Sequence, residues 1–143
     1  MKNIALFVLS IFFATAVAAQ DNKAAIVGTW KHVSTDKTEL DAAVAKLNAS
    51  AKKKKDKEDA AMFEMGAGMM AGLFKDVTLV FKADSKLEII SKGRTENATY
   101  TIEGDNFTFT QKGSKVSFTI VSLADGKLQL KDSFFLLHNF DKQ

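Results

Sequence analysis

Residues 99–110, Thr99-Tyr100-Thr101-Ile102-Glu103-Gly104-Asp105-Asn106-Phe107-Thr108-Phe109-Thr110, decide the fold. Threonines alternate with Tyr100 and Ile102 on one side of the central Glu-Gly-Asp-Asn, and with Phe107 and Phe109 on the other. A period of two places successive side chains on opposite faces of a strand. Gly, Asn and Asp tolerate the left-handed backbone angles of a tight reversal. The stretch therefore predicts an antiparallel hairpin with one apolar and one wetter face.

The same pattern extends both ways. Upstream, Val77, Leu79 and Phe81 alternate with Thr78 and Val80, Asp84-Ser85 makes a turn, and Leu87 and Ile89 continue the apolar face. Ser91 to Asn97 reads as a polar connection containing Gly93. Downstream, Lys112-Gly113-Ser114 turns, Val116, Phe118 and Ile120 oppose Ser117 and Thr119, and Asp125-Gly126 turns again before Leu128 and Leu130. Lys131-Asp132 leads into Phe134 to Phe140. Gly28 to Ser34 reads as the first strand, with Trp30, His32 and Ser34 on one face. The chain is thus mainly β, with about eight strands joined mostly by short turns. An up-and-down barrel closes such a set most economically, because closure removes both exposed edges. Trp30, Phe81, Phe107, Phe109, Phe118 and Phe134 are the interior candidates. Their size favours a filled core or a narrow cavity over a wide one.

Between the first and second strands the period changes. An insert over about residues 36–74 is helical. Leu40, Val44 and Leu47 recur at offsets of four and three, which places them on one stripe. Asp36 or Thr38 caps its start. Residues 48–59 are strongly polar, a solvated helix or a loop, and include the basic run Lys52-Lys53-Lys54-Lys55. Adjacent lysines repel, which counts against a helix there. Residues 60–74, AAMFEMGAGMMAGLF, favour a helix, although each glycine weakens it by roughly 1 kcal/mol relative to Ala. Met62, Met65 and Met69 lie close to one face, and Phe63, Met70 and Phe74 extend the apolar surface. Three readings are open: a helix packed on the sheet, a lid over a cavity, or a surface for a membrane or protein partner. In the last, Lys52, Lys53, Lys54 and Lys55 meet an anionic surface and Met65 and Met69 bury against it.

The first residues carry an address. Lys2 precedes a nearly continuous apolar run, IALFVLSIFF at 4–13, followed by small residues up to Ala18-Ala19. This is the three-part pattern of a secretory signal peptide with cleavage near Ala18/Ala19, leaving residues 20–143 as one domain. The run is too short for a comfortable span of about 20 residues, so no transmembrane segment is expected in the mature form. The chain has no cysteine, hence no disulfide and no lipidated cysteine after the leader. An exported, cysteine-free chain fits a bacterial periplasm or extracellular setting.

Most catalytic chemistries lack their parts. Cysteine nucleophiles are absent, and no serine sits in a Gly-any-Ser-any-Gly elbow. The acidic residues mostly flank turns. Gly66 to Gly72 lacks the Lys-Ser/Thr of a phosphate loop and follows no strand. His32 and His138 fall on the first and last strands, but zinc normally takes three or four protein ligands. No metal or other cofactor and no catalytic residue is expected, and the chain does not read as an enzyme. The formal charge of +3 is concentrated in one lysine run, and Arg94 is the sole arginine, so nucleic acid is not an expected partner.

With Gly28-Thr29-Trp30 opening the first strand, then Val77 to Phe81 and the 99–110 hairpin, the chain resembles a small bacterial secreted lipocalin-like protein. The resemblance implies that Gly28 and Trp30 close one barrel end and that the other end admits a small apolar ligand. The arginine that packs on the Trp in many lipocalins has no clear counterpart; Lys131 is the candidate substitute. Phe81, Phe109 and Phe118 are expected to line the ligand site, with Tyr100 or His138 as a polar group. The competing expectation is a structural or protein-interaction module of the bacterial envelope that works through the insert.

Overall fold

The computed structural model describes residues 22–143; the expected leader and the expected cleavage near Ala18/Ala19 lie outside the described residues. Eight strands form a closed antiparallel barrel in chain order: β1 (Gly28–Asp36), β2 (Thr78–Phe81), β3 (Lys86–Ser91), β4 (Arg94–Glu103), β5 (Asn106–Gln111), β6 (Ser114–Ala124), β7 (Lys127–Lys131) and β8 (Leu137–Lys142). β8 pairs back onto β1, so no strand edge is left open along the barrel. Two helices, α1 (Thr38–Ser50) and α2 (Lys54–Phe74), are inserted between β1 and β2.

The turns follow their residues. Lys92-Gly93, Lys112-Gly113 and Asp125-Gly126 all have positive φ at both positions, the geometry whose twist matches paired strands. At the first of these the reading of residues 91–97 needs correction. The turn is only Lys92-Gly93, and Arg94 to Asn97 already pair with β3, Ser91 opposite Arg94 and Glu88 opposite Asn97. Both faces are wet at this rim, so the strand carries no apolar alternation to announce it.

Two bulges re-aim side chains. In β1, His32 pairs with Phe140 and Ser34 with Asn139, which leaves Val33 unpaired and 59 % exposed. The extra residue reverses the parity. Ser34 therefore faces outward, contrary to the alternation, and Thr35 turns inward. A second bulge between Ile120 and Ser122 does the same to Val121.

The interior is aromatic. Phe81, Tyr100 and Phe107 pack edge to face with centroids 5.1–6.3 Å apart, and Phe109 and Phe118 stack at 6.1 Å. One barrel end is plugged. Trp30 is 1 % exposed, and its indole N–H donates to the carbonyl of Ile26 at 2.6 Å. Lys142 lies over the Trp30 ring at 5.3 Å. The cation on the Trp is thus Lys142, whereas Lys131 pairs with Glu39 on α1 at 2.9 Å. Gly28, at φ 137, lets the Lys142 stem pass 2.9 Å from where a β-carbon would sit.

The helices cover part of the other end. α1 begins where the Asp36 carboxylate accepts the Thr38 amide at 2.8 Å. The chain breaks at residues 51–53, and the Asp56 carboxylate then accepts the amides of Lys52 and Lys53 at the start of α2. Two of the four lysines therefore sit in a connector and two in the first helical turn, all exposed. Leu40, Ala67 and Leu136 form a second core with Val44, Phe63 and Phe134 packed against it. Phe134 belongs here and not to the barrel interior. It reaches Gly66 at 3.0 Å from a would-be β-carbon, while Gly68 and Gly72 face open space. Leu47, placed on the buried stripe by its spacing, is 44 % exposed. Met62, Met65 and Met69 point outward, and Leu73 is also exposed.

Candidate functional site

The insert packs closely on one side of the open end and only roofs the other. On the β1, β7 and β8 side, the loop 132–136 rises to meet it. Asp132 builds that loop. One carboxylate oxygen accepts the amides of Phe134 at 2.8 Å and Leu136 at 3.0 Å, and the other accepts the His138 Nε2–H at 3.0 Å. Phe135 is held at φ 62, a costly conformation for a bulky side chain, with its ring near Phe63. The loop delays β8 to Leu137.

Behind the loop runs a polar chain, half-buried at His32 and Thr35 and buried at His138 and Asp132. Thr35 Oγ1 lies 2.9 Å from His32 Nε2 and 3.1 Å from His138 Nδ1. With both rings neutral, His32 donates to Thr35, Thr35 donates to His138, and His138 donates to Asp132. No buried side-chain nitrogen or oxygen among the described residues lacks a partner. Burial, and then the nearby His138, push the His32 pKa below its ordinary value, with Asp76 and a backbone hydrogen bond to Ser34 opposing them. The chain fills the wall and holds the loop. Its Asp132–His138 end is closed to solvent, since His138 is fully buried with the Phe74 ring tilted against it at 4.3 Å, whereas His32 and Thr35 are half-buried.

On the β3–β6 side no helix fills the end, and a cavity of ≈ 610 Å³ opens there. Met70, Leu73 and Phe74 of α2 form its roof, Val77, Leu79, Ile89, Phe107, Phe109 and Val116 its apolar walls, and Ser91, Lys92, Arg94, Glu96 and Gln111 its polar rim. The size lies within the range of small-molecule sites, about 300–1,000 Å³, and the mix of apolar wall and few polar groups is typical of them. At the rim, Glu96 is engaged by Gln111 and by Lys112 at 3.5 Å.

Of the residues expected to line a ligand site, Phe109 is on this wall. Phe118 stacks behind it, Phe81 packs on the far side of Phe107, and none of Phe81, Tyr100, Phe118 and His138 is part of the lining. The Tyr100 hydroxyl is spent on the carbonyl of Lys82 at 2.8 Å, and burial pushes its pKa up. Gly28 and Trp30 stand at the plugged end. Lys52 to Lys55, Met65 and Met69 lie on the outer surface of the insert. The rim residues were missed although a signal existed. Counting back by twos from Tyr100 through Ala98 reaches Glu96 and Arg94, the inward parity of β4.

Among the described residues no group of three or more His, Cys, Asp or Glu is placed to hold a metal, and no helix is long and apolar enough to cross a membrane. An eight-stranded antiparallel barrel, plugged at a Gly-Thr-Trp end and hollow at the other, defines the class of small calyx-like barrels. The model of the lipocalin-like domain family matches residues 26–130, and the chain belongs to that family, which is typically non-catalytic. No curated protein and no solved structure matches the chain.

Proposed function

We propose that this protein is an exported, non-enzymatic carrier that binds a small apolar ligand in the chamber beneath α2. The observation that carries the reading is the ≈ 610 Å³ cavity, apolar in its walls and polar only at its rim. Burial of an apolar chain there is favourable at about 25 cal/mol per Å² of surface removed from water. The leader-like residues 2–19 support export, to a bacterial periplasm or the medium. Native mass spectrometry of the protein from its own host, followed by organic extraction, tests the reading. A stoichiometric apolar adduct, absent from an Ile89→Trp variant that fills the chamber, is expected. A clean apo mass, under conditions where a control carrier keeps its ligand, would overturn it.

A second reading rests on the outer face of α2, where Met62, Met65 and Met69 are 63–66 % exposed. Methionine suits adaptable contact surfaces. In this reading the insert docks on an envelope partner or an anionic membrane, with Lys52 to Lys55 supplying attraction. Salt-sensitive flotation with anionic vesicles, lost in a Met65→Gln/Met69→Gln variant, is its expected result; no flotation at low salt removes the membrane form.

A further inference from the structure

We infer that the chamber selects an amphiphile with a carboxylate head, held at the mouth by Arg94. The inference rests on reading the cavity as a ligand chamber and names the class of ligand. Arg94 is the chain's only arginine, and it stands on the rim of an otherwise apolar cavity. It opens β4 with the inward parity of Glu96, Ala98 and Tyr100. No hydrogen bond or ion pair engages its guanidinium among the described residues. The one acidic side chain on the rim does not serve it, because the Glu96 carboxylate is taken by Gln111 and Lys112 from the next hairpin. Lys92, also on the rim, adds a second cation that no acidic side chain pairs among the described residues.

The arrangement separates two tasks. Walls such as Ile89, Phe109 and Val116 offer an apolar chain nothing but burial. The mouth offers a charged fork whose geometry matches a carboxylate in two parallel hydrogen bonds. A cationic head would meet Arg94, Lys92 and Lys112 with only Glu96 against them. A neutral head would leave the fork hydrated and gain nothing from it. Leu73, on the roof and exposed at the mouth, marks where chain gives way to head.

The test is calorimetric titration of the delipidated protein with dodecanoate, dodecanol and dodecyltrimethylammonium, each below its micellar concentration. The inference expects dodecanoate to bind about tenfold or more tightly than dodecanol, and the ammonium amphiphile most weakly. Arg94→Gln should erase the preference while dodecanol affinity stays put. Arg94→Lys should keep part of it, because the charge survives and the fork does not. Unchanged circular dichroism and thermal midpoint establish that these rim variants are folded. Equal affinities in the parent protein, or a preference that survives Arg94→Gln, overturn the head-group assignment and leave the chamber intact. Failure of all three to bind, or binding undiminished by Ile89→Trp, overturns the chamber itself.

Discussion

The two ends of the barrel are built from the same strands and do opposite things with them. The plugged end is knitted together: Trp30 on Ile26, Lys142 over Trp30, and Asn22 on the β4–β5 turn through the carbonyl of Gly104 at 3.1 Å. At the other end the same aromatic ladder stops at Phe107 and Phe109, and an unfilled volume begins. The difference is one of supply. A helical turn over residues 22–25 and the Trp30 indole close the first end. The insert at the second is long enough to cover it but leans on the loop 132–136, leaving the β3–β6 side unfilled. Stability is concentrated where the interior is full, and adaptability where it is not.

Deleting the plug should have the largest effect. Trp30→Ala is expected to cost about 3–5 kcal/mol in denaturant unfolding, by lost burial and a cavity that cannot collapse. An unfolding free energy within 1 kcal/mol of the parent would mean that the plug does not carry the fold. The loop that props the insert comes next. Asp132→Ala strands the amides of Phe134 and Leu136 and the His138 ring, and about 2–3 kcal/mol of stability should go. Hydrogen exchange at those two amides should accelerate beyond the global change. A uniform loss without that local signature would show that Asp132 only fills space.

Filling the open end should do the reverse. Ile89→Trp is expected to weaken apolar-ligand binding at least tenfold while shifting stability by less than about 1.5 kcal/mol, since the new ring enters existing space. Thermal melts and probe titration of one preparation read both numbers. The smallest effect is that of acid. The folded His32 pKa lies below its unfolded value of 6.5, so the unfolded chain binds more protons between the two. Stability from this residue is complete above pH 6.5 and falls as pH drops below it. His32→Gln should flatten that part of the profile; an unchanged slope would place the titration elsewhere.

The strand pattern was readable because alternation of Thr with Phe, Leu and Ile is a direct imprint of a half-buried sheet. Eight strands and their order follow from it, and the helical insert from the change of period between the first two strands. What escaped is instructive. The bulge at Val33 has no sequence signature, and it exchanged Ser34 for Thr35 on the inner face. The rim of β4 was hidden because Arg94 and Glu96 lie exposed at the cavity mouth, where inward residues are polar and the alternation vanishes. The plug cation was sought at Lys131, yet three-dimensional closure of β8 on β1 brings Lys142 instead. Phe81, Tyr100, Phe118 and His138 were rightly read as inward residues, but parity alone does not tell depth, and depth separates packing from lining.

Methyl-selective NMR of the folded protein during titration with dodecanoate bears most directly on the contrast between the ends. A bound chain in the chamber should shift the methyl groups of Met70, Leu79, Ile89 and Val116, and leave those of Ile26 and Leu136 in place. Shifts confined to Met62, Met65 and Met69 would mean that the ligand sits on the outer face of α2 and that the chamber is not a binding site.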